Sequence, residues 1–517
     1  MSPPHTVFYG TFIDLPRTKS GHKHVLSVRY GALWVSANGT IQGVDWTVGS
    51  DSDLHALLRR KGWVGKVHLV RAQSSQNEFF FPGFIDTHIH APQYPNSGLF
   101  GSSTLLEWLE RYTFPMESSF GSTSNPSLLT GNAFRVYNQT IARTLSHGTT
   151  YAAYYATIHV PATQILASLC LERGQKALIG RVCMDNSTTC PDDYRDASPA
   201  ASLSDNEAVI AYIRGIDPSG ALVKPILTPR FALSCSDTAM RAIADQATRH
   251  ASEDGAPLHI QTHISENTAE IDAVRLFFPQ QDTYAGVYDE YGLLTPRTIL
   301  AHAVHLTPKE RELISARGAK ISHCPTSNSA LGSGLCPVRH ILDAGLTVGL
   351  GTDVSGGYSM SVLEAVRQAC LVSRLVRFAA SPGDEEEGKR MVLSVEEALY
   401  LATRGGAAVV DAADQVGGFD KGMLFDAQLV RLGPGVEKGI SGKESPVDVF
   451  GWESWEEKVY KWVWNGDDRN VKGVWVNGRL VHSRGDIGGE TGGRLLRWVL
   501  GLGVVGVGAV VAWRSRR

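Results

Sequence analysis

The sequence predicts an α/β protein, a (β/α)8 TIM-type barrel carrying a small β-sandwich domain that the N- and C-terminal segments build together. Three observations carry this. Between residues 79 and 410, eight apolar runs of strand length alternate with helical patterns, as parallel βα units require. Several of those runs end in histidine or aspartate, and the carboxyl ends of barrel strands are where such folds gather their chemistry. The flanking segments carry short strands broken by turn signals.

The elements follow in order. Residues 1–78 contain strand-like pieces at Thr6 to Gly10, Val25 to Tyr30 and Ala32 to Val35, with Asn38-Gly39 as a turn, and read as the N-terminal part of the β domain. The barrel spans 79–410, with strands expected at 79–86, 148–155, 177–184, 222–228, 257–263, 298–302, 319–323 and 346–353. Helices fit between them, for example Leu105 to Arg111 and Thr238 to His250. After the last strand, Ser394 and Glu397 have capping-box spacing ahead of Ala398 to Ala402, and Gly405-Gly406 supplies a stop. Asp384 to Lys389 reads as an exposed insertion. Residues 411–485 bring strands at Ala427 to Leu432 and Gly473 to Val481, which rejoin the N-terminal strands as the second part of the β domain. Residues 486–517 form a tail.

Composition narrows the function classes. The net charge is −3, from 49 basic and 52 acidic residues, so no basic field favours nucleic acid. Seven cysteines lie scattered with no Cys-x-x-Cys, which points to a reducing, cytoplasmic compartment rather than a disulfide framework. The start, Met1-Ser2-Pro3-Pro4-His5, lacks the basic and apolar regions of a signal peptide. The tail is uncharged from Trp498 to Trp513, with arginines on both sides. Counted from 495 to 513 it approaches the length of a membrane-anchor helix, tying the protein to an organelle membrane. Its glycines fit a loose apolar tail instead.

The residues that carry chemistry begin with His88-Ile89-His90. On a strand, side chains at i and i+2 share a face about 6.5 Å apart along the chain, within reach of one metal ion. A second such pair, His22-Lys23-His24, follows no strand and reads as a solvated loop. The fifth, sixth and eighth runs end at His263, His302 and Asp353. Three nitrogens and a carboxylate from His88, His90, His263 and Asp353 suit zinc and tolerate iron. Glu266, just past His263, reads as the proton shuttle, and His302 as a group that polarises a developing oxyanion. His305 reads as a supporting or surface residue, and His323 as structural at the edge of the site. Arg230 and Phe231, ending the fourth run, pair forked donors with a stacking ring, and Gln93 adds an amide. Such a set reads a flat, hydrogen-bonding heterocycle, or a carboxylate substrate held by Arg230.

Several blocks carry a family resemblance. They are Asp86 to Tyr94, Leu106-Glu107-Trp108-Leu109 with Tyr112 to Pro115, Thr228 to Ser236, His259 to Asn267, His323 to Asn328, Gly351 to Tyr358 and Gly466 to Val471. They resemble the amidohydrolase superfamily and, within it, the guanine deaminases, over nearly all of residues 6 to 485. The resemblance implies hydrolytic deamination of guanine to xanthine and ammonia, with water on zinc attacking C2, Glu266 and Asp353 moving protons and His302 assisting. It implies one zinc per subunit on His88, His90, His263 and Asp353, and a homodimer. It also implies base contacts from His90, Ala91, Pro92, Gln93, Arg230, Phe231, His263, Ile264, Ser265, Glu266 and Asp353. Two-metal relatives bridged by a modified lysine fit less well, because Lys224 precedes the end of its strand. The other zinc-deaminase fold needs a Cys-x-x-Cys that the chain lacks. The alternatives are deamination of another purine or a triazine, and a non-catalytic scaffold of the same fold.

Overall fold

Eight parallel strands form the barrel in chain order: β1 (Phe84–His90), β2 (Thr149–Tyr155), β3 (Lys176–Gly180), β4 (Val223–Pro229), β5 (His259–Ile264), β6 (Thr298–His302), β7 (Lys320–His323) and β8 (Val348–Leu350). The computed structural model describes residues 6–17, 24–121, 126–251, 255–380, 385–436, 445–485 and 487. Each strand pairs in parallel with the next. Beyond β8 the ring closes onto β1, where Asp353 N–H donates to His88 O (2.9 Å) and His90 N–H to Val354 O (3.1 Å). The strands are apolar along most of their length because helices cover the outer face and side-chain layers fill the inner one. The expected helices form at Leu105–Trp108 and Asp237–Arg249, the latter capped by the Ser236 side chain.

The barrel begins five residues later than the sequence suggests. The run expected at 79–86 breaks at Gly83, where a Cβ would lie 2.2 Å from Thr150 Oγ1. Glu78–Pro82 belongs instead to the terminal sheet, pairing with Thr6–Asp14 and Ala427–Arg431. Strand alternation then divides the phenylalanines. Phe80 enters the terminal core beside Phe8 and Phe12, while Phe79 and Phe81 turn to Trp462 on the helix Trp455–Asn465.

The terminal segments do rejoin, as a single hydrogen-bonded sheet of eight strands. Side chains from strands of both termini, among them Phe8, Phe80, Leu429 and Trp475, meet in one cluster. Ser27–Val35 is one strand where two pieces were expected. The run 473–481 is two strands, Val471–Val476 and Arg479–Ser483, turned by Asn477-Gly478 with φ of 49° and 69°. Gly405-Gly406 does not stop its helix. The helical path runs on to Val409, and the two glycines admit the strands: a Cβ on Gly405 would sit 2.5 Å from Val348 O, and one on Gly406 2.9 Å from Ile85 Cβ.

The sheet is latched to the amino-terminal end of the barrel. Lys176 Nζ, opening β3, reaches both Asp426 oxygens at 2.6 and 2.7 Å, with both side chains buried. Of the acidic insertion, Glu385–Met391 is a helix tied by Arg390 to Glu387 and Asp343. His24 is half-buried with its ring 4.0 Å from Tyr400, so it is not a freely solvated loop residue, and His22 lies outside the described residues. The 495–513 segment also lies outside them. Among the described residues no helix is long and apolar enough to cross a membrane.

Candidate active site

The carboxyl ends of β1, β5 and β6 and the turn after β8 bring five metal-type side chains together. His88 Nε2 lies 3.0 Å and His90 Nε2 3.3 Å from Asp353 Oδ1, and His90 Nε2 lies 3.2 Å from His263 Nε2. Four nitrogen or oxygen ligands about 2.0–2.1 Å from one tetrahedral zinc ion would stand about 3.4 Å apart. These spacings match. His302 also enters the cluster, its Nε2 3.7 Å from Asp353 Oδ2 and 3.3 Å from Glu266 Oε2. The buried Nε2 atoms of His88 and His302 have no hydrogen-bond partner in the protein. Bare imidazole nitrogens around a buried carboxylate are what a divalent cation satisfies, so the donor set fits one.

Supporting bonds fix the ring orientations. His263 Nδ1 donates to Arg230 O at 2.6 Å, which turns Nε2 toward the cluster. His302 Nδ1 donates to Asn328 Oδ1 at 2.8 Å. Asp86, 0 % exposed, accepts from Thr352 N (3.0 Å), Thr352 Oγ1 (2.6 Å) and His88 N (3.3 Å), clamping the first strand to the last. Burial pushes its carboxyl up to about 7. Ser265, His302, Ala303 and Asp353 all have φ between 48° and 74°. Left-handed backbone at the ends of β5 and β6 and after β8 is local strain held by the surrounding bonds.

Burial sets the electrostatics. It lowers His88, opposed by Asp353, takes His90 to about 4, and with His88 beside it drives His263 well down, leaving neutral rings ready to ligate. Asp353 lies well below the usual carboxylate range, because His88, His90 and His302 outweigh its burial. Glu266 goes the other way: burial first, then Asp353 and Glu270, raise it well above. Its Oε1 accepts from Ser333 Oγ at 3.1 Å. Glu270 lies beneath it, accepting from Glu266 N (3.0 Å) and Tyr284 OH (2.8 Å) as the capping-box residue of Thr268–Phe277.

A small cavity opens above this cluster. Its polar lining is His90, Gln93, Arg230, His263, Glu266, Glu270, His302 and Asp353; Leu105, Trp108, Leu109, Phe231 and Leu331 form the apolar wall. His88 lies below it, packed on Tyr155 at 4.7 Å. Ala91, Pro92, Ile264 and Ser265 are buried beside the cavity without lining it. Their carbonyls are partly engaged, Ala91 O by Thr140, Ile264 O by Ala303 and Ser265 O by His305. His305 Nε2 also donates to Ser333 O (2.7 Å), so it braces the loop that holds Glu266. His323 is buried with both ring nitrogens unpartnered. Lys224 is the second residue of β4, at the opposite end from the cluster.

Residues 79–481 match the sequence profile of the amidohydrolase family. This chain belongs to that family. Among its relatives, the probable guanine deaminase of Schizosaccharomyces pombe is 48% identical over 404 residues, covering 78% of this chain and 71% of its own length. The guanine deaminase of Mus musculus is 39% identical over 483 residues, 93% of this chain and 97% of that protein. The crystal structure of guanine deaminase from C. acetobutylicum with guanine bound in its active site superposes with a TM-score of 0.76 at 30% identity, covering 93% of this chain and all of that one. In this amidohydrolase, the residues that sequence reasoning missed are those that reach the site from the helices and turns beyond the strand ends: Glu117, Tyr194, Glu270, Asn328 and Ser333. Only Glu270 left a local signal, the Asn267-x-x-Glu270 capping spacing.

Proposed function

We propose that this amidohydrolase hydrolyses guanine to xanthine and ammonia. The observation that carries the reading is one small cavity joining a His/Asp cluster to a wall of Gln93, Arg230 and Phe231. The guanine deaminase relatives, matched over most of their length, support it. His88, His90, His263 and Asp353 hold one zinc ion, which when bound supplies Lewis acidity and a water of lowered pKa.

The chain's own residues do the rest. Phe231 and the wall of Leu105, Trp108 and Leu109 pack the flat base and exclude water. Arg230 donates to acceptors on its edge, and Gln93 reads a further ring group. Water adds to C2, and the bond from C2 to the amino nitrogen breaks. Glu266 passes one proton of the attacking water to ring N3 as the C2–N3 double bond opens, and the proton of the new C2 hydroxyl to the amino nitrogen, which leaves as ammonia as C2 becomes a carbonyl. A carboxyl that burial holds high is suited to giving that proton back. His302 faces both Glu266 and Asp353, placed to polarise the oxygen that gains charge as water adds. His90, His263 and Asp353 also border the base, with the backbone of Ala91, Pro92, Ile264 and Ser265 shaping the turns that carry Gln93 and Glu266.

Ammonia release measured against guanine, adenine, oxidised guanine and an aminotriazine tests the reading. Guanine is the expected substrate, and turnover of another base without guanine would end it. The proposal extends to a homodimer, checked by sedimentation, and to a cytoplasmic enzyme anchored through 495–513. Full solubility of the tagged chain after cell fractionation would remove the anchor.

A further inference from the structure

One buried charge beside the cavity has no part in the chemistry above. Glu117, 0 % exposed in Phe114–Ser118, has four donors on its two oxygens. Oε2 accepts from Arg230 Nη1 and Tyr194 OH, each at 2.6 Å. Oε1 accepts from Gln93 Nε2 at 2.6 Å and Arg230 Nη2 at 3.2 Å. Burial would raise this carboxyl, but Arg230 and the bonds outweigh it and hold Glu117 ionised. Gln93 is pinned at its other end too, its Oε1 accepting from Ser355 N at 3.2 Å.

Both polar side chains offered to the base therefore hang on one carboxylate. That fixes the amide so that Gln93 presents its oxygen away from Glu117. It also cancels the charge of Arg230 while taking only two of its five N–H donors. The other ionisable groups around Glu117 are Tyr194, Tyr137, His159 and His90. Burial holds both tyrosines in the phenol form and lowers both histidines. Arg230 and Glu117 thus form a net-neutral pair at this end of the cavity. His263, His302, Glu266, Glu270 and Asp353 lie toward the metal cluster.

We propose that Glu117 is a positioning residue that sets specificity: by neutralising Arg230 and orienting Gln93, it makes the cavity take uncharged purines and release anionic ones. The inference rests on the guanine reading, and there it has a use. Hydrolysis replaces an amino-bearing carbon by a carbonyl between two N–H groups, so the product is a stronger acid than the substrate. An unpaired guanidinium would retain the product anion, whereas the neutral pair lets it go.

The test uses the metal-loaded enzyme, wild type and Glu117→Gln, with xanthine and hypoxanthine as competitors of guanine turnover between pH 6 and 8. Xanthine ionises in that range and hypoxanthine stays uncharged. In the wild type, affinity for xanthine relative to hypoxanthine should fall several-fold as pH rises. In Glu117→Gln the trend should flatten or reverse, shifting the ratio at pH 8 by about tenfold toward xanthine with metal content unchanged. The same pH trend in both proteins would overturn the proposal, since a merely structural role moves both ligands together. If Glu117→Gln does not fold, the wild type decides, and a xanthine affinity that is flat or rising with pH overturns it. If guanine is not turned over, the guanine reading fails on that result alone. Equilibrium dialysis of the same two bases then reads the charge preference, and binding of neither overturns both.

Discussion

Replacing Glu266 by Gln tests the centre of the mechanism. The substitution keeps the side-chain volume and the bond from Ser333 Oγ at 3.1 Å, and removes only the capacity to take up and give back a proton. Little nearby can substitute. Glu270 has its oxygens engaged by Glu266 N, Asn267 N and Tyr284 OH, and Asp353 is held ionised by three histidines. A positioned acid–base group contributes about 10²–10⁴-fold. With no ready substitute, the loss in kcat should fall near about 10³-fold, or about 4 kcal/mol of barrier. Metal content should not change, because the four proposed ligands remain. Thermal stability should hold or rise, since burial beside Asp353 and Glu270 disfavours the ionised carboxyl that Gln replaces. Steady-state ammonia release, elemental analysis and a melting curve on the same preparations give all three. A kcat within tenfold of wild type with metal retained would refute the shuttle role. Joint loss of metal and activity would place Glu266 in metal retention instead.

Two further outcomes follow from burial. Asp426→Ala leaves Lys176 without its carboxylate, with only Asn477 Oδ1 beside it, at a site where the two side chains of the pair are at most 4% exposed. It should cost about 3–5 kcal/mol, read as a lower urea midpoint; an unchanged midpoint would show that the terminal sheet is held without this latch. His323, buried without partners, is lowered from 6.5 to about 3 by burial and by His302. The unfolded chain therefore takes up a proton below pH 6.5 that the folded chain refuses, and stability is lost as pH falls from 6.5 toward 3. At pH 4.5 that amounts to about 2–3 kcal/mol. His323→Leu should move the acid-unfolding midpoint to lower pH relative to wild type, and an unmoved midpoint would contradict the assignment.

What the sequence determined by itself is the part of this protein that is local. A strand announces itself through a few consecutive apolar residues, so all eight barrel strands were legible, the first with a shifted start, as were His88, His90, His263 and His302 toward their carboxyl ends and Asp353 just past the last. Ser394 to Glu397 and Asn38-Gly39 were legible for the same reason, because caps and turns are set within four residues. Tertiary structure decided whatever depends on two distant segments meeting. The break at Gly83 arises where Thr150 leaves no room for a side chain, and the uninterrupted helix at Gly405-Gly406 where β1 and β8 press against it. Glu117 is the clearest case. It stands 113 residues from Arg230 and 77 from Tyr194, in a helix whose own pattern gives it no distinction. Only closure of the barrel, which lays the loop after β1 over the end of β4, turns that carboxylate into the partner of Arg230, Gln93 and Tyr194.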